Sequence, residues 1–367
     1  MFVLVIGAGI IGAAVADAMA RRGARVTVLD MRPPGHGASR ASAGILAPYT
    51  EAHPDAPLLP LGVRSLDLYD DFVAGARERS GRAIEYARTG TLEVALDAHR
   101  AGELRASFRQ LVTAGVAAEW FDGAAVRAIE PALAPEAVAA LAISRHGHVG
   151  VESLVAALVQ SARFAGATFE SPVEAIDLTP EVDGIRVGAG DRRYIADAVV
   201  VASGSWAQRL RLPGRTPMPV RPVRGQLLHL RWPDDGPPRQ VVWGPHCYAV
   251  PWADGSLLVG ATVEDAGFDE RPTVEGVRAL TGAVAELLPA ARRASVDAIR
   301  VGLRPAMPDG LPAVGPLSAD PRIVAATGHY RNGILLAPWT AEVVSRYLID
   351  GVRDASLEIT RPDRFRA

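Results

Sequence analysis

The chain opens with an uninterrupted apolar run, Phe2 to Ile6. A stretch from Ile11 to Arg22 follows with helical periodicity, and then a second apolar, β-branched run from Ala24 to Asp30. This order predicts a β-α-β unit. Residues 31–60 are rich in Gly, Pro, Ala and Ser and predict an ordered loop that crosses over another part of the fold, with a helix from about Leu61 to Ser80 after it. Residues 84–97 predict strands, Ala98 to Ala114 a helix, Pro131 and Pro135 a loop, and Ser153 to Gly166 another helix. Between 168 and 202, strand signals alternate with turns at Asp183-Gly184 and Ala189-Gly190 and end in the apolar strand Ala198 to Ala202. From Gly225 to Thr262 the order is strand, loop, strand, turn at Asp254-Gly255, strand, which predicts an antiparallel sheet. Helices are expected at Val274 to Leu288 and at Ile334 to Asp350. No internal repeat or low-complexity tract interrupts the pattern.

Composition narrows the chemistry. With 367 residues the chain has roughly two domains' worth of length, and 49% apolar against 22% charged residues is an ordinary globular balance. A formal net charge of −2 gives no general attraction for phosphate backbones, so no nucleic-acid partner is expected. All 39 basic residues are arginine. The lack of lysine excludes a Schiff-base lysine, a lysine nucleophile and a Walker-type phosphate lysine. A single cysteine, Cys247, excludes an intrachain disulfide framework and any multi-cysteine metal site, and fits a reducing compartment. The apolar first twenty residues lack the basic segment of a secretory signal, and no other apolar run approaches the ~20 residues that span a bilayer. The expectation is a cytoplasmic protein with no membrane partner.

Gly7-Ala8-Gly9-Ile10-Ile11-Gly12 fits G-x-G-x-x-G between a predicted strand and helix, and Asp30 closes the second strand. Gly7 permits the tight turn, Gly9 lets a pyrophosphate approach the backbone, and Gly12 allows close packing of helix on strand. The helix N-terminus offers N–H groups to the phosphates, and Asp30 would accept hydrogen bonds from ribose hydroxyls. The motif alone leaves the dinucleotide open. Arg32 is read as a solvated side chain in preference to a partner for a 2′-phosphate, which Asp30 would also repel. Because the strand ending at Ala202 belongs with the first sheet, the nucleotide domain is expected in three pieces, 1–83, 145–212 and 300–367. A second, antiparallel-sheet domain is expected from 84–144 and 213–299.

Three later segments bear on the cofactor: Ser39 to Pro48, Ala198 to Trp206 and Gly328 to Pro338. With the fingerprint they resemble the FAD-dependent amine and amino-acid oxidases, a family that includes D-amino-acid oxidase and sarcosine oxidase. His246 to Pro251, Val259 to Thr262 and Gly302 to Pro305 look most like glycine oxidases of the thiamine-pathway type, and the resemblance runs from about residue 2 to 350. It implies a D-amino-acid-oxidase-like α/β fold, a Rossmann-like FAD-binding domain with an antiparallel-sheet substrate domain, and a homo-oligomer. The FAD should be non-covalent, since the region where covalent relatives attach the ring holds no cysteine.

The physical reading agrees with a flavin. Small residues at Ala41 to Gly44 let a loop cross a flat ring while backbone N–H groups bond to its polar edge. Gly333 is expected to begin the last helix, whose N-terminus would stabilise the negative charge of a reduced flavin. Cofactor contacts are expected from Gly7, Gly9, Ile10, Ile11, Gly12, Asp30, Met31, Ala38, Ser39, Ala43, Gly44 and Ile45. Gly204, His329, Tyr330, Arg331, Asn332, Gly333, Ile334 and Leu335 complete the expected set, and the resemblance carries over Val173 as an adenine-side backbone contact, with an ordinary buried strand residue as the other reading.

Oxidation of an amino acid by a flavin needs a fixed cation for the carboxylate, and Arg304 can form a bidentate pair with it. The resemblance gives Arg304 this role and makes Arg331 a second substrate-side arginine. Tyr248 and His246 are expected on one face of one strand. Tyr248 would bond to the carboxylate or shape the pocket over it; His246 is read as a neutral structural histidine in preference to a group that influences the amine's protonation. Cys247 should face the other way as a small buried residue. The expected reaction takes the α-hydrogen of a neutral amine as hydride onto flavin N5, with O2 reduced to H2O2. The alternative is a flavin dehydrogenase for a D-amino acid or secondary amine that uses another electron acceptor. Trp243, Trp252, Trp339 and Val263 depart from the family pattern. The indoles either narrow the pocket or fill the interface between domains.

Overall fold

The computed structural model describes residues 1–51, 56–173, 176–213, 217–233 and 236–365. The apolar runs Phe2–Ile6, Arg25–Leu29 and Ala198–Val201 lie side by side as parallel strands. Ile323–Thr327 and Thr168–Glu170 extend them in parallel on either side, and Ala313–Pro316 closes one edge antiparallel. These strands read as continuous apolar runs because both faces are covered. Val3, Val5, Val26 and Val28 point to a layer made by the helices Ile10–Arg21, Val151–Phe164 and Ala337–Asp350. Leu4, Ile6, Val199 and Val201 point to the opposite layer, where the antiparallel strands Ile176–Glu181, Gly184–Ala189 and Arg192–Ala196 cover them.

A second sheet of eight strands runs in the order Ser295–Ala306, Arg221–Arg231, Ser256–Gly260, Tyr248–Pro251, Val241–Trp243, Thr91–Ala95, Ala139–Ile143, Glu119–Asp122. It is antiparallel except where Val241–Trp243 lies parallel to Thr91–Ala95. Helix Val274–Leu287 covers one face through Leu280 and Val284, packed with Leu228, Leu230 and Val259. On the other face Leu227, Val241, Val250 and Leu258 meet Ala41, Ala43 and Ile45. The small-residue loop therefore lies between the two sheets, pressed on the second.

Several elements differ from the sequence reading. The helix expected at 61–80 is two helices, Leu58–Asp67 and Tyr69–Ser80, separated at Leu68. Side chains on both sides of the break are held by one partner segment: Ser65 Oγ donates to the Leu335 carbonyl at 2.6 Å and the Tyr69 hydroxyl to that of Ile334 at 2.8 Å. The last helix starts at Ala337, not at Ile334, with Pro338 in its first turn, where a missing N–H costs nothing. The segment 31–60 is not all loop but includes the two-residue strand Ile45–Leu46 and the short helix Pro48–Glu51. Strands Glu119–Asp122 and Gly147–Val149 are too short to show a period in the sequence, and Ala139–Ile143 is mostly alanine, with a single β-branched residue to mark it as a strand. Among the described residues no helix is long and apolar enough to cross a membrane.

Candidate active site

A cavity of about 540 Å³ begins at Gly7 and Asp30, passes the loop 37–45 and reaches Tyr248 and Arg304. Its first end is the nucleotide fingerprint. Gly7, Gly9, Ile10 and Ile11 line it, whereas Gly12 does not: a Cβ on Gly12 would lie 1.8 Å from the Gly7 carbonyl oxygen, so its role is the close approach of helix to strand. The helix starts after Gly9 without a side-chain cap, and the Ile10 N–H is donated to Ser39 Oγ at 3.0 Å, tying the crossing loop to this end. The Asp30 carboxylate accepts the N–H groups of Ala8 at 2.6 Å and Arg32 at 2.8 Å. Burial raises its pKa, and those N–H groups and the Arg32 charge work against the rise. Val173 lines the same end, and its N–H is donated to the Asp30 carbonyl at 2.9 Å, so that N–H is already engaged. Ser203 also lines the cavity, and its Oγ is buried with no hydrogen-bond partner among the described residues. A buried, unsatisfied hydroxyl is costly unless a ligand takes the bond.

At the middle of the cavity, Ala38, Ser39, Ala43, Gly44 and Ile45 face the turn His329 to Ile334. Tyr330 is the one described residue other than glycine with a left-handed φ, at 50°. That outlier is held by its N–H bond to the Pro305 carbonyl at 2.8 Å, and strained backbone of this kind concentrates at functional sites. The N–H groups of Arg331, Gly333 and Ile334, which all line the cavity, have no acceptor among the described residues. Unengaged donors among the cavity-lining residues thus come from this turn, and the helix N-terminus expected at Gly333 lies four residues further on. Gly204 and Met31 line the cavity as well. Leu335 does not; it is buried, and its carbonyl takes the Ser65 hydroxyl. His329 is buried against Thr340, and burial lowers its pKa to about 3, so it is a neutral ring. An orphan hydroxyl, a half-buried carboxylate at the end of the second strand and a row of N–H groups with no acceptor among the described residues, across from small residues, fit an FAD molecule.

The far end is built on two strand glycines. Tyr248 pairs across the sheet with Gly260, and a Cβ there would lie 2.4 Å from the phenol oxygen. Arg304 faces Val223, and a Cβ on the nearby Gly225 would lie 2.3 Å from the guanidinium carbon. Both polar side chains therefore lie flat over bare backbone. Arg304 Nη1 donates to the Thr262 carbonyl at 2.8 Å, and no carboxylate pairs with it among the described residues. Tyr248 is half-buried by its neighbours; desolvation raises its pKa against the pull of Arg304 and Arg331, so it remains a hydroxyl.

Arg331 is placed differently from Arg304. Its guanidinium is held by Glu51 through Nε to Oε2 at 2.9 Å and Nη2 to Oε1 at 3.1 Å. Desolvation disfavours its charge, but Glu51 more than offsets this and the pKa is raised. A second cavity, of about 310 Å³ and lined by Thr50, Glu93 and Arg100, shares Glu51, Trp243 and Arg331 with the first. His246 is not on the strand with Tyr248. It sits exposed in the turn after Pro245, closed by the bond from Gly244 N–H to the Cys247 carbonyl at 2.8 Å, and the strand begins at Tyr248. It still lines the rim of the cavity. Cys247 is buried, and desolvation pushes its thiol up to about 12.

Of the unusual residues, Trp243 walls the pocket edge-on to Tyr248 at 5.3 Å, while Trp252 packs on His148 at 5.0 Å away from it. Trp339 is fully buried in the helical core, and Val263 is exposed. Arg32 is not simply solvated but forms a two-point ion pair with Glu270. Gly225 and Gly260 were legible as glycines inside strand patterns, a signal of close approach. Glu51 had no such signal, because its pairing with Arg331 spans 280 positions.

The family model described as FAD dependent oxidoreductase matches residues 3–347. A glycine oxidase of Geobacillus kaustophilus is 34% identical over 94% of this chain and 91% of its own length. A bifunctional protein ThiO/ThiG of Synechocystis is 33% identical over 99% of this chain, which spans 54% of that longer protein. The crystal structure of glycine oxidase from Geobacillus kaustophilus superposes with a TM-score of 0.94, covering 100% of this chain and 99% of that one at 32% identity.

Proposed function

The chain belongs to the FAD dependent oxidoreductase family, and from that premise we propose that it oxidises glycine and comparably small amino acids or N-methylated amines to their imines. The reading is carried by Arg304: a cation in the cavity wall with a carbonyl, but no carboxylate, for a partner among the described residues. A carboxylate is the group that satisfies its open fork. The Tyr248 hydroxyl, kept protonated by burial, donates a further hydrogen bond to the same carboxylate. Arg331, neutralised by Glu51, borders the site without competing for that anion. With the carboxylate fixed at the Arg304 end, the α-carbon is directed toward the turn His329 to Ile334 and the loop 38–45. FAD held there would supply the acceptor for the α-hydrogen as hydride and the route of the electron pair to O2. The chain's own contribution is orientation and exclusion of water, effects that reach ~7 to 11 kcal/mol in well-oriented reactions. Trp243 and the Tyr248 ring limit the space beyond the α-carbon, which favours small side chains.

The nucleotide-binding pieces 1–83, 145–212 and 300–367 carry the cofactor in this reading, and 84–144 with 213–299 carry the substrate face. A homo-oligomer in the cytoplasm completes the proposal. The test is a peroxide-release screen of the FAD-loaded protein over glycine, sarcosine, small D-amino acids and N-methyl amines. Release from glycine or sarcosine with a stoichiometric imine-derived product is expected. No release in air and no flavin bleaching without air, for every compound, would overturn it.

A further inference from the structure

The connection between strand Ser256–Gly260 and helix Val274–Leu287 leaves the second sheet and returns to it. Its base is stapled down. Arg224 and Glu264 exchange backbone bonds at 2.9 and 3.0 Å, and the buried Arg224 guanidinium holds Glu264 at 2.6 Å. Gln226 binds Thr273 at the other side of the base. From this anchor the tip reaches across to the first domain. The Glu270 carboxylate accepts two bonds from Arg32, at 2.9 and 2.5 Å, while the Arg32 guanidinium carbon lies 4.7 Å over the Trp206 ring. Phe268 sits 5.5 Å from Trp206 and under Arg209, whose guanidinium carbon is 3.6 Å from its centroid.

Arg32, Trp206 and Arg209 line the cavity beside Asp30; Phe268 and Glu270 do not. The tip therefore acts from behind the wall. It fixes the three side chains that close the end where Asp30 meets a ribose, and it comes from the sheet that carries Arg304. We infer that Phe268 and Glu270 are positioning residues for the adenosine half of FAD, forming a clasp that holds Arg32 and Trp206 closed over it and tightens binding of the cofactor. The Glu270 pair also keeps Arg32 turned to a carboxylate, so this arginine is engaged before any phosphate arrives. The clasp rests on the reading that FAD lies with its adenosine beside Asp30.

The experiment strips the purified protein of flavin and titrates the apo-form with FAD and, separately, with FMN, following flavin fluorescence. FMN lacks the adenosine half, so a clasp acts on FAD alone. Glu270→Gln and Phe268→Leu, the latter chosen to keep an apolar contact and the fold, are each expected to raise the Kd for FAD at least tenfold. The Kd for FMN should move less than twofold. An FAD Kd within twofold of the unmodified protein, or equal weakening of FAD and FMN, would overturn the clasp. If the unmodified protein binds FAD no more tightly than FMN, the placement of adenosine beside Asp30 is itself wrong.

Discussion

Replacing Gly225 by alanine tests how Arg304 is held without touching Arg304. An ideal Cβ at this position lies 2.3 Å from the guanidinium carbon and 2.3 and 2.4 Å from its two terminal nitrogens, where ordinary contact begins at 3.4 Å. The guanidinium must therefore withdraw by about 1 Å, a displacement of the size that costs roughly a hundredfold when it misplaces a substrate. Its 2.8 Å bond to the Thr262 carbonyl lengthens beyond bonding range at the same time. Hydrogen bonds to charged groups contribute about 1.5 to 3 kcal/mol, so kcat/KM for glycine should fall about 10- to 100-fold. The backbone at 225 is not left-handed, so the substitution itself adds no φ penalty. The assay is steady-state peroxide formation against glycine concentration with FAD-loaded protein, alongside a thermal melt. Gly282→Ala is the control: it sits on helix Val274–Leu287 with nothing within 4 Å and should leave kcat/KM unchanged. A Gly225→Ala protein with kcat/KM within threefold of the unmodified one would refute the account of a bare-backbone floor.

Tyr248→Phe should lower kcat/KM for glycine about tenfold through loss of one bond to the carboxylate. Because burial holds the Tyr248 pKa above the ordinary phenol value of about 10, the alkaline limb of the unmodified enzyme's pH profile below that point should survive in Tyr248→Phe. Cys247, buried and with its thiol pushed up to about 12, should resist iodoacetamide in the native protein and react only once unfolded; fast labelling of the native form would contradict its placement. His146 and His148 are buried, and desolvation lowers their pKa values to about 3 and about 4. Both lie below the unfolded value of about 6.5, so their full contribution is present above pH ~6.5 and is lost as pH falls toward the folded values. By pH 5 the loss is about 2 kcal/mol for each, and denaturant melts at pH 7 and pH 5 should show it; equal stabilities would contradict it.

The parts of the molecule with a dense local signal were readable in the sequence. Phe2–Ile6, Ile10–Arg21 and Arg25–Leu29 are each uniform, and the glycine spacing between them fixes what can approach. The family resemblance pointed to FAD and to an oxidase, and the relatives agree. What stayed hidden depends on distant partners. Nothing near Glu51 or Glu270 in the chain marks them, since each meets its arginine only after folding, across 280 and 238 positions. His246 looked like a strand residue because it directly precedes the mostly apolar run Cys247 to Val250, but the chain turns at Pro245 and His246 and the strand begins at Tyr248. Trp339, adjacent to a matched segment, is core because the helix that carries it enters the helical layer.

On the proposed function, an amino acid anchored by Arg304 reduces FAD bound in this cavity. Rapid mixing of the yellow holoprotein with subsaturating glycine in the absence of oxygen measures it directly, through the rate at which flavin absorbance is lost. Unpairing a carboxylate from Arg304 costs about 2 to 4 kcal/mol, so Arg304→Ala should bleach roughly 30- to 1000-fold more slowly than the unmodified protein. Bleaching within threefold of the unmodified rate would contradict the claim.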